Sequence, residues 1–286
     1  MDLSVIVPAY NEQGAIGTVL ADLLLVLPKI GLSWELLVVD DCSKDGTCDV
    51  VRSFKKVQLI QHPVNKGYGA SIKTAARQAK GTWLMLFDAD NQFYASDMLK
   101  FIPFIAQYDM VMGARKGQTS WYRAPGKILL TRFASYLARQ RLPDLNCGFR
   151  MVKKALFDRF AHLYPDQFSI TSTLTLAALK SGASVKWVSI PWKPRRTGKS
   201  SMKMVRDGWR FMLLVTRLTM LFSPLRVLMP VSAVLFAAGF SYAVYTVYAL
   251  HNIGDFSTLS ILSSLFVFLF ALLSDQVAAL RREMHP

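Results

Sequence analysis

The sequence predicts an α/β fold built on a mixed, mainly parallel sheet, followed by amphipathic interface helices and a two-helix transmembrane hairpin. Three observations carry this reading. β-rich runs alternate with helical patterns over the first hundred residues, carboxylates recur where those runs end, and the apolar excess of a chain that is 52% hydrophobic gathers at its C-terminus.

Strand-like runs occupy 3–7, 35–39, 57–61 and 83–87, and helical patterns fall between them at 13–27, 47–55 and 69–79. Strands separated by helices are joined by crossovers, so they pair in parallel. Ligands of open parallel sheets bind just beyond the C-terminal strand ends. Here those ends read Pro8-Ala9-Tyr10-Asn11-Glu12, Asp40-Asp41-Cys42-Ser43, His62 to Lys66, and Asp88-Ala89-Asp90. Stability alone does not gather carboxylates at one sheet edge, so a functional pocket is expected there. Ser43 and Asp45 also suit helix N-caps.

Residues 227–250 and 256–274 contain no charge, and each run approaches the roughly 20 residues that cross a bilayer core. Spans are expected at 226–250 and 257–280. Arg226 precedes the first, Arg281 and Arg282 follow the second, and the turn between holds Asp255 without Lys or Arg. The positive-inside rule then puts both outer ends in the cytoplasm. The N-terminus leads directly into an apolar strand with no basic leader, so the large domain is also expected in the cytoplasm. The expected division is a catalytic domain at 1–203, an interface helix at 204–223 and a hairpin at 224–286.

The formal charge of +15 belongs to the first part of the chain. Residues 113–142 hold seven Lys or Arg and no acid, and 186–217 hold nine against Asp207. Such blocks attract polyanions. Beside membrane spans, anionic headgroups and phosphorylated substrates explain the charge more economically than nucleic acid, which is not expected as a partner. Within the basic blocks, 127–139 places Leu129, Phe133 and Tyr136 at helical spacing with Arg132 and Arg139. Residues 204–222 likewise combine Trp209, Met212 and Met220 with Arg206, Arg210 and Arg217. Both suit a membrane surface. Cys42, Cys48 and Cys147 form no C-x-x-C pair and the four histidines are scattered, so reduced thiols and no zinc are expected.

Asp88-Ala89-Asp90 follows the apolar run Trp83-Leu84-Met85-Leu86-Phe87, with Gln92 two residues on. Hard oxygen ligands in this arrangement suit Mg²⁺ or Mn²⁺, which also bridge diphosphate oxygens.

Seven blocks in order then resemble one family. They are V-I-V-P-A-Y-N-E at 5–12, V-V-D-D-C-S-K-D-G-T at 38–47, N-K-G-Y-G-A at 65–70, D-A-D-N-Q at 88–92, G-A-R at 113–115, N-C-G-F-R at 146–150 and R-R-T-G-K-S at 195–200. The chain resembles the family 2 glycosyltransferases of GT-A fold, and among them the dolichol-phosphate mannose synthase-like polyprenyl-phosphate glycosyltransferases. The resemblance implies inverting transfer of a sugar from a nucleotide-sugar, GDP- or UDP-linked, to undecaprenyl or dolichyl phosphate. It implies that Pro8, Tyr10 and Glu12, with Asp40 or Asp41, hold base and ribose, and that Asp88, Asp90 and Gln92 hold the metal on the diphosphate. Backbone amides at Lys66 and Gly67 would support the phosphates. Arg115, Arg132 and Arg196, with Ser135, Lys199 and Ser200 nearby, would attend the lipid phosphate and the leaving diphosphate, for which a planar guanidinium is suited.

A phosphate acceptor also fits chemically. Its second pKa of about 6 leaves it largely dianionic at neutral pH, so it needs no general base. The chain lacks the Q-x-x-R-W of processive relatives, and it carries hydroxyls at 168–174 where some relatives carry an acid. The alternatives are transfer to another membrane lipid, with Asp144 as base, and a non-catalytic nucleotide-sugar-binding membrane partner. The spans also offer a surface for a homo-oligomer.

Overall fold

The computed structural model describes residues 1–115, 132, 135–136, 142–166, 170–193, 212–213, 216–217 and 219–284. The chain divides into two compact units, Met1–Arg132 with Arg141–Gly208, and Phe133–Gln140 with Trp209–Pro286.

The first unit is a layered α/β structure. Its strands are β1 (Leu3–Ala9), β2 (Trp34–Asp40), β3 (Gln58–Gln61), β4 (Trp83–Leu86), β5 (Met110–Arg115), β6 (Arg150–Lys153) and β7 (Val185–Ile190). Its helices are α1 (Gln13–Val26), α2 (Thr47–Arg52), α3 (Tyr68–Gln78), α4 (Lys154–Arg159) and α5 (Ile170–Lys180). The sheet runs β3-β2-β1-β4-β6-β5-β7. Only β6 opposes its neighbours, pairing antiparallel with β4 and β5. The expected mainly parallel sheet is present, and the elements read from the sequence lie within a few residues of those observed.

β1 is buried at every position, as a strand covered on both faces must be. It pairs with β2 along its whole length, but with β4 only as far as Ile6 opposite Leu86. Pro8 therefore puts its missing N–H where the β4 ladder has already ended, and the proline costs no ladder hydrogen bond. The sheet opens there. β1 leads to β2 on one side and has β4 on the other, and such a switch point leaves a crevice beyond the strand ends.

In the second unit α6 (Leu225–Leu250) and α7 (Asp255–Met284) form a hairpin. His251 turns the chain at φ 53° after α6. The helices approach closely at Gly239, where a Cβ would lie 2.8 Å from Ser260 Cβ, and Ser232 Oγ donates to Ser264 O at 2.9 Å. Their apolar segments, Leu225–Ala249 and Asp255–Leu280, have mean hydropathies of 1.9 and 2.3 but are only 11% and 22% buried. Phe236, Tyr248, Leu259 and Phe266 are exposed. Core helices of a water-soluble domain would bury these side chains, so the hairpin is suited to anchoring the chain in a membrane. The expected amphipathic helices at 127–139 and 204–222 fall largely outside the described residues.

Candidate active site

Three strand ends carry left-handed residues, Asn11 at φ 53°, Cys42 at 64° and Asn91 at 57°. Asparagine tolerates this conformation, whereas cysteine does not favour it. The turns after β1 and β2 are stitched together. Asn11 N donates to Ser43 Oγ at 2.9 Å, Glu12 N to Thr47 Oγ1 at 2.9 Å, and Gln13 N to Asp45 Oδ2 at 3.2 Å. Asp45 also accepts from Thr47 N at 3.0 Å. Asp45 thus caps the start of α2 through Thr47 and also meets Gln13 at the start of α1, while Ser43 ties the turn after β2 to Asn11. Tyr10 is 44% exposed above this rim, while Pro8 lies buried within β1.

Adjacent strand residues face opposite ways, and Asp40 and Asp41 differ accordingly. Asp41 is 4% exposed. It accepts Lys66 N at 2.8 Å, Gly67 N at 2.7 Å and the His62 ring at 2.7 Å. The amides expected to support phosphates are therefore already given to Asp41. Lys66 and Gly67 were expected to offer these N–H groups to phosphates; in the structure a carboxylate buried beneath the loop accepts them. Asp40 accepts Ser43 N at 3.1 Å through Oδ2, and its buried Oδ1 has no hydrogen-bond partner among the described residues. The Cys48 thiol lies beside Asp40, and burial together with that carboxylate pushes the thiol up to about 11.

At the end of β4 the carboxylates of Asp88 and Asp90 are half-buried. Burial and the Asp90 charge push Asp88 from an ordinary 3.8 up to about 6, outweighing the hydrogen bond from Tyr68 and the charges of Arg115 and Arg150. Tyr68 Oη donates to Asp88 Oδ1 at 2.8 Å. Gln92 is held by its own backbone, which donates to Asp90 Oδ1 at 3.2 Å and accepts Lys193 N at 2.8 Å. The turn rests on buried rings. Phe149 lies 5.4 Å from Phe87, 5.3 Å from Phe93 and 4.9 Å from Phe101, so the residues flanking the carboxylates are clamped on one aromatic cluster.

Residues 146–150 reach this edge because β6 runs opposite to its neighbours and enters the sheet from the side where they leave it. Gly148 then lies against Asp88. A Cβ there would collide with Oδ2 and sit 2.9 Å from Cγ. Arg150, fully buried, donates to Cys147 O, Thr171 O and Thr175 Oγ1, and burial lowers its pKa. It ties the site floor to α5, whose Ser172 hydroxyl donates to Asn146 Oδ1.

Arg115 ends β5 and forms a two-pronged pair with Asp144, Nε to Oδ2 at 2.7 Å and Nη2 to Oδ1 at 3.1 Å. Burial works against the Asp144 charge, but the hydrogen bonds and charge of Arg115 outweigh it and hold Asp144 below the usual carboxylate range. An acid so held is a weak base, which counts against the alternative reading of another lipid acceptor with Asp144 as base. Arg132 is an exposed helical residue of the first unit. Ser135, in the second, lines a cleft of about 760 Å³ with Tyr136, Leu225, Arg226, Met229, Pro230 and Ala233. Arg196, Lys199 and Ser200 lie outside the described residues.

The sheet edge therefore brings together Tyr10, Glu12, Asp40, Asp88, Asp90, Gln92 and Arg115. Tyr68, Gly148 and Arg150 were not singled out from the sequence. The glycine in N-C-G-F-R, just before an apolar run, was the available signal.

The model of glycosyl transferase family 2 matches residues 4–163. The chain belongs to that family. A second model, the GtrB C-terminal hairpin, matches residues 223–280. Among curated relatives, undecaprenyl-phosphate 4-deoxy-4-formamido-L-arabinose transferase of Aeromonas hydrophila is 26% identical over 54% of this chain, and the match spans half of that relative's length. The protein of the same name from Edwardsiella ictaluri is 24% identical over 96% of this chain and 85% of its own. Dolichyl-phosphate β-glucosyltransferase of Saccharomyces cerevisiae is 22% identical, covering 72% of each chain. Among solved structures, glucosyl-3-phosphoglycerate synthase of Mycobacterium tuberculosis, in complex with Mn²⁺, UDP and glucosyl-3-phosphoglycerate, superposes with a TM-score of 0.60 at 15% identity, covering 76% of this chain and 78% of that one. Mannosyl-3-phosphoglycerate synthase of Rubrobacter xylanophilus gives 0.59 at 18%, over 77% and 73%. These likenesses extend the GT-A fold to this chain.

Proposed function

We propose that this family 2 glycosyltransferase moves a sugar from a nucleotide-sugar to the phosphate of a polyprenyl lipid at the cytoplasmic face of a membrane. The observation that carries the acceptor assignment is the Arg115–Asp144 pair. It supplies a fixed cation at the edge that holds Asp88 and Asp90, and it withdraws Asp144 from service as a base. A hydroxyl acceptor needs such a base, whereas a phosphate does not. The curated relatives named for undecaprenyl and dolichyl phosphate, and the match to the GtrB hairpin, support the same reading.

Asp88, Asp90 and the Gln92 amide fit a divalent cation. No group of three His, Cys, Asp or Glu gathers among the described residues, so diphosphate oxygens and water would complete the coordination, as is usual for Mg²⁺. Burial and the charge of Asp90 raise Asp88, and a cation relieves the repulsion between the two acids. When bound, the cation supplies charge balance to the leaving nucleoside diphosphate. Tyr10 and Glu12 on the rim, with Asp40 rather than Asp41, attend base and ribose. Arg115 holds the acceptor phosphate through the guanidinium edge that Asp144 leaves free; for Arg132, Ser135, Arg196 and Ser200 the role toward the lipid phosphate rests on the family resemblance alone. Attack from the face opposite the leaving diphosphate inverts the anomeric centre. Arg226, Arg281 and Arg282 flanking the hairpin favour outer ends on the cytoplasmic side.

The test is incubation of the detergent-solubilised chain with Mn²⁺ or Mg²⁺, polyprenyl phosphate and radiolabelled UDP- and GDP-sugars, followed by organic extraction. One donor should give an acid-labile lipid product only with metal, and Asp90→Ala should abolish it in a folded protein. Label in a neutral lipid would overturn the acceptor. Activity that survives Asp90→Ala would remove the metal assignment.

A further inference from the structure

The block 65–70 contacts two carboxylates that follow different strands, β2 and β4. At the β2 end, Asp41 accepts Lys66 N and Gly67 N, and Asn65 Nδ2 donates to Asp41 O at 3.3 Å. His62, 5% exposed, bridges Asp41 Oδ1 and Thr74 Oγ1 at 2.7 and 2.9 Å, so the loop and α3 are tied to one acid. Gly67 holds φ 100° and ψ 161°, a conformation open essentially to glycine alone. From this pinned turn Tyr68 spans to the end of β4, where its hydroxyl donates to Asp88 Oδ1 at 2.8 Å. Gly148 closes the other side, since any Cβ there would collide with Asp88 Oδ2. One oxygen of Asp88 thus has a donor and the other abuts backbone, which leaves a single carboxylate orientation.

We infer that Tyr68 is the positioning residue for the metal-side carboxylate, a strut anchored through Asn65–Gly67 on Asp41 that fixes Asp88 for a divalent cation in the nucleotide complex. The inference rests on the reading of Asp88 as a metal ligand. The phenol occupies one lone pair of Oδ1 and keeps the group from rotating, while the remaining lone pairs stay available. Removing a hydrogen-bond partner of this kind lowers metal affinity by about 10–100-fold.

Tyr68→Phe keeps the ring and deletes only the hydroxyl. The experiment titrates Mn²⁺ into the detergent-solubilised full chain with saturating UDP, and separately GDP, following the electron paramagnetic resonance signal of free Mn²⁺ and recording the melting temperature in parallel. Wild type should bind with one nucleotide, Asp88→Asn should lose binding, and Tyr68→Phe should bind roughly tenfold more weakly at a similar melting temperature. Equal affinity in wild type and Tyr68→Phe, with Asp88→Asn deficient, overturns the role of Tyr68 and leaves the metal site standing. Absence of Mn²⁺ binding in wild type with either nucleotide overturns both. Should the Phe variant fail to fold, Tyr68→Leu removes the same hydroxyl and is judged by the same two outcomes.

Discussion

Asp41 and Asp88 follow the two strands that flank β1, 47 positions apart in the chain, yet their surroundings are opposite. Asp41 is buried and saturated, with two backbone N–H groups and a histidine ring on its oxygens. Asp88 has one phenol and a second carboxylate close enough to raise its pKa. A carboxylate whose needs are met inside the protein is a structural part. One left under-satisfied beside a like charge has capacity for a ligand, and such perturbation concentrates at functional sites.

The sharpest way to break this contrast is to neutralise each acid in turn. Asp88→Asn should lower turnover by about 10³-fold or more, the loss of several kcal/mol of charge stabilisation. It should not lower the melting temperature of the metal-free protein, because it removes a repulsion. A clear drop in melting temperature would make Asp88 structural after all. Asp41→Ala should do the reverse in stability, since stripping the acceptor from the buried Gly67 amide and His62 ring and the part-buried Lys66 amide costs about 3 kcal/mol or more. Chemical denaturation measures this, and a change under about 1 kcal/mol would refute the saturation argument.

Arg115→Lys sharpens the comparison on the phosphate side. Lysine keeps the charge but not the fork, so it cannot hold Asp144 with one edge and a phosphate with the other. A fall of about 10²-fold in kcat/KM, comparable to removing one preorganised donor, is the expected result. Activity near wild type would mean that charge alone suffices at this position.

Much of the site was legible because the hydrophobic pattern locates strand ends and the paired acids follow one of them directly. Asp88 and Asp90 were found that way. The choice between Asp40 and Asp41 was not legible, because both follow the same strand and only the register of the next loop decides which one meets the amides of Lys66 and Gly67. Tyr68 stands just before the helical pattern at 69–79, and its reach to Asp88 depends on β2 and β4 flanking β1, which local periodicity does not encode. Gly148 and Arg150 were missed for a topological reason. A strand that runs opposite to its neighbours brings the residues before it, not after it, to the functional edge. The left-handed turn at Cys42 carries no sequence cue, since cysteine is not chosen for that conformation.

The smallest effect expected here concerns the partner of Arg115. Asp144→Asn leaves a neutral amide on the guanidinium, so Arg115 stays near its place but is held less firmly, and kcat should fall by roughly tenfold or less. Stability gives the finer test. The folded-state pKa of Asp144 lies below its ordinary 3.8, so the ionised carboxylate contributes stability that is fully present above that value and disappears as pH falls through the lower, folded value. Wild type should therefore unfold at a higher denaturant concentration than Asp144→Asn at pH 7, and the gap should close only below about pH 4. A gap that instead persists at low pH would show that the asparagine disturbs packing and not charge. A gap absent at pH 7 would mean that Asp144 does not restrain Arg115, and the fixed cation on which the phosphate-acceptor reading depends would be lost with it.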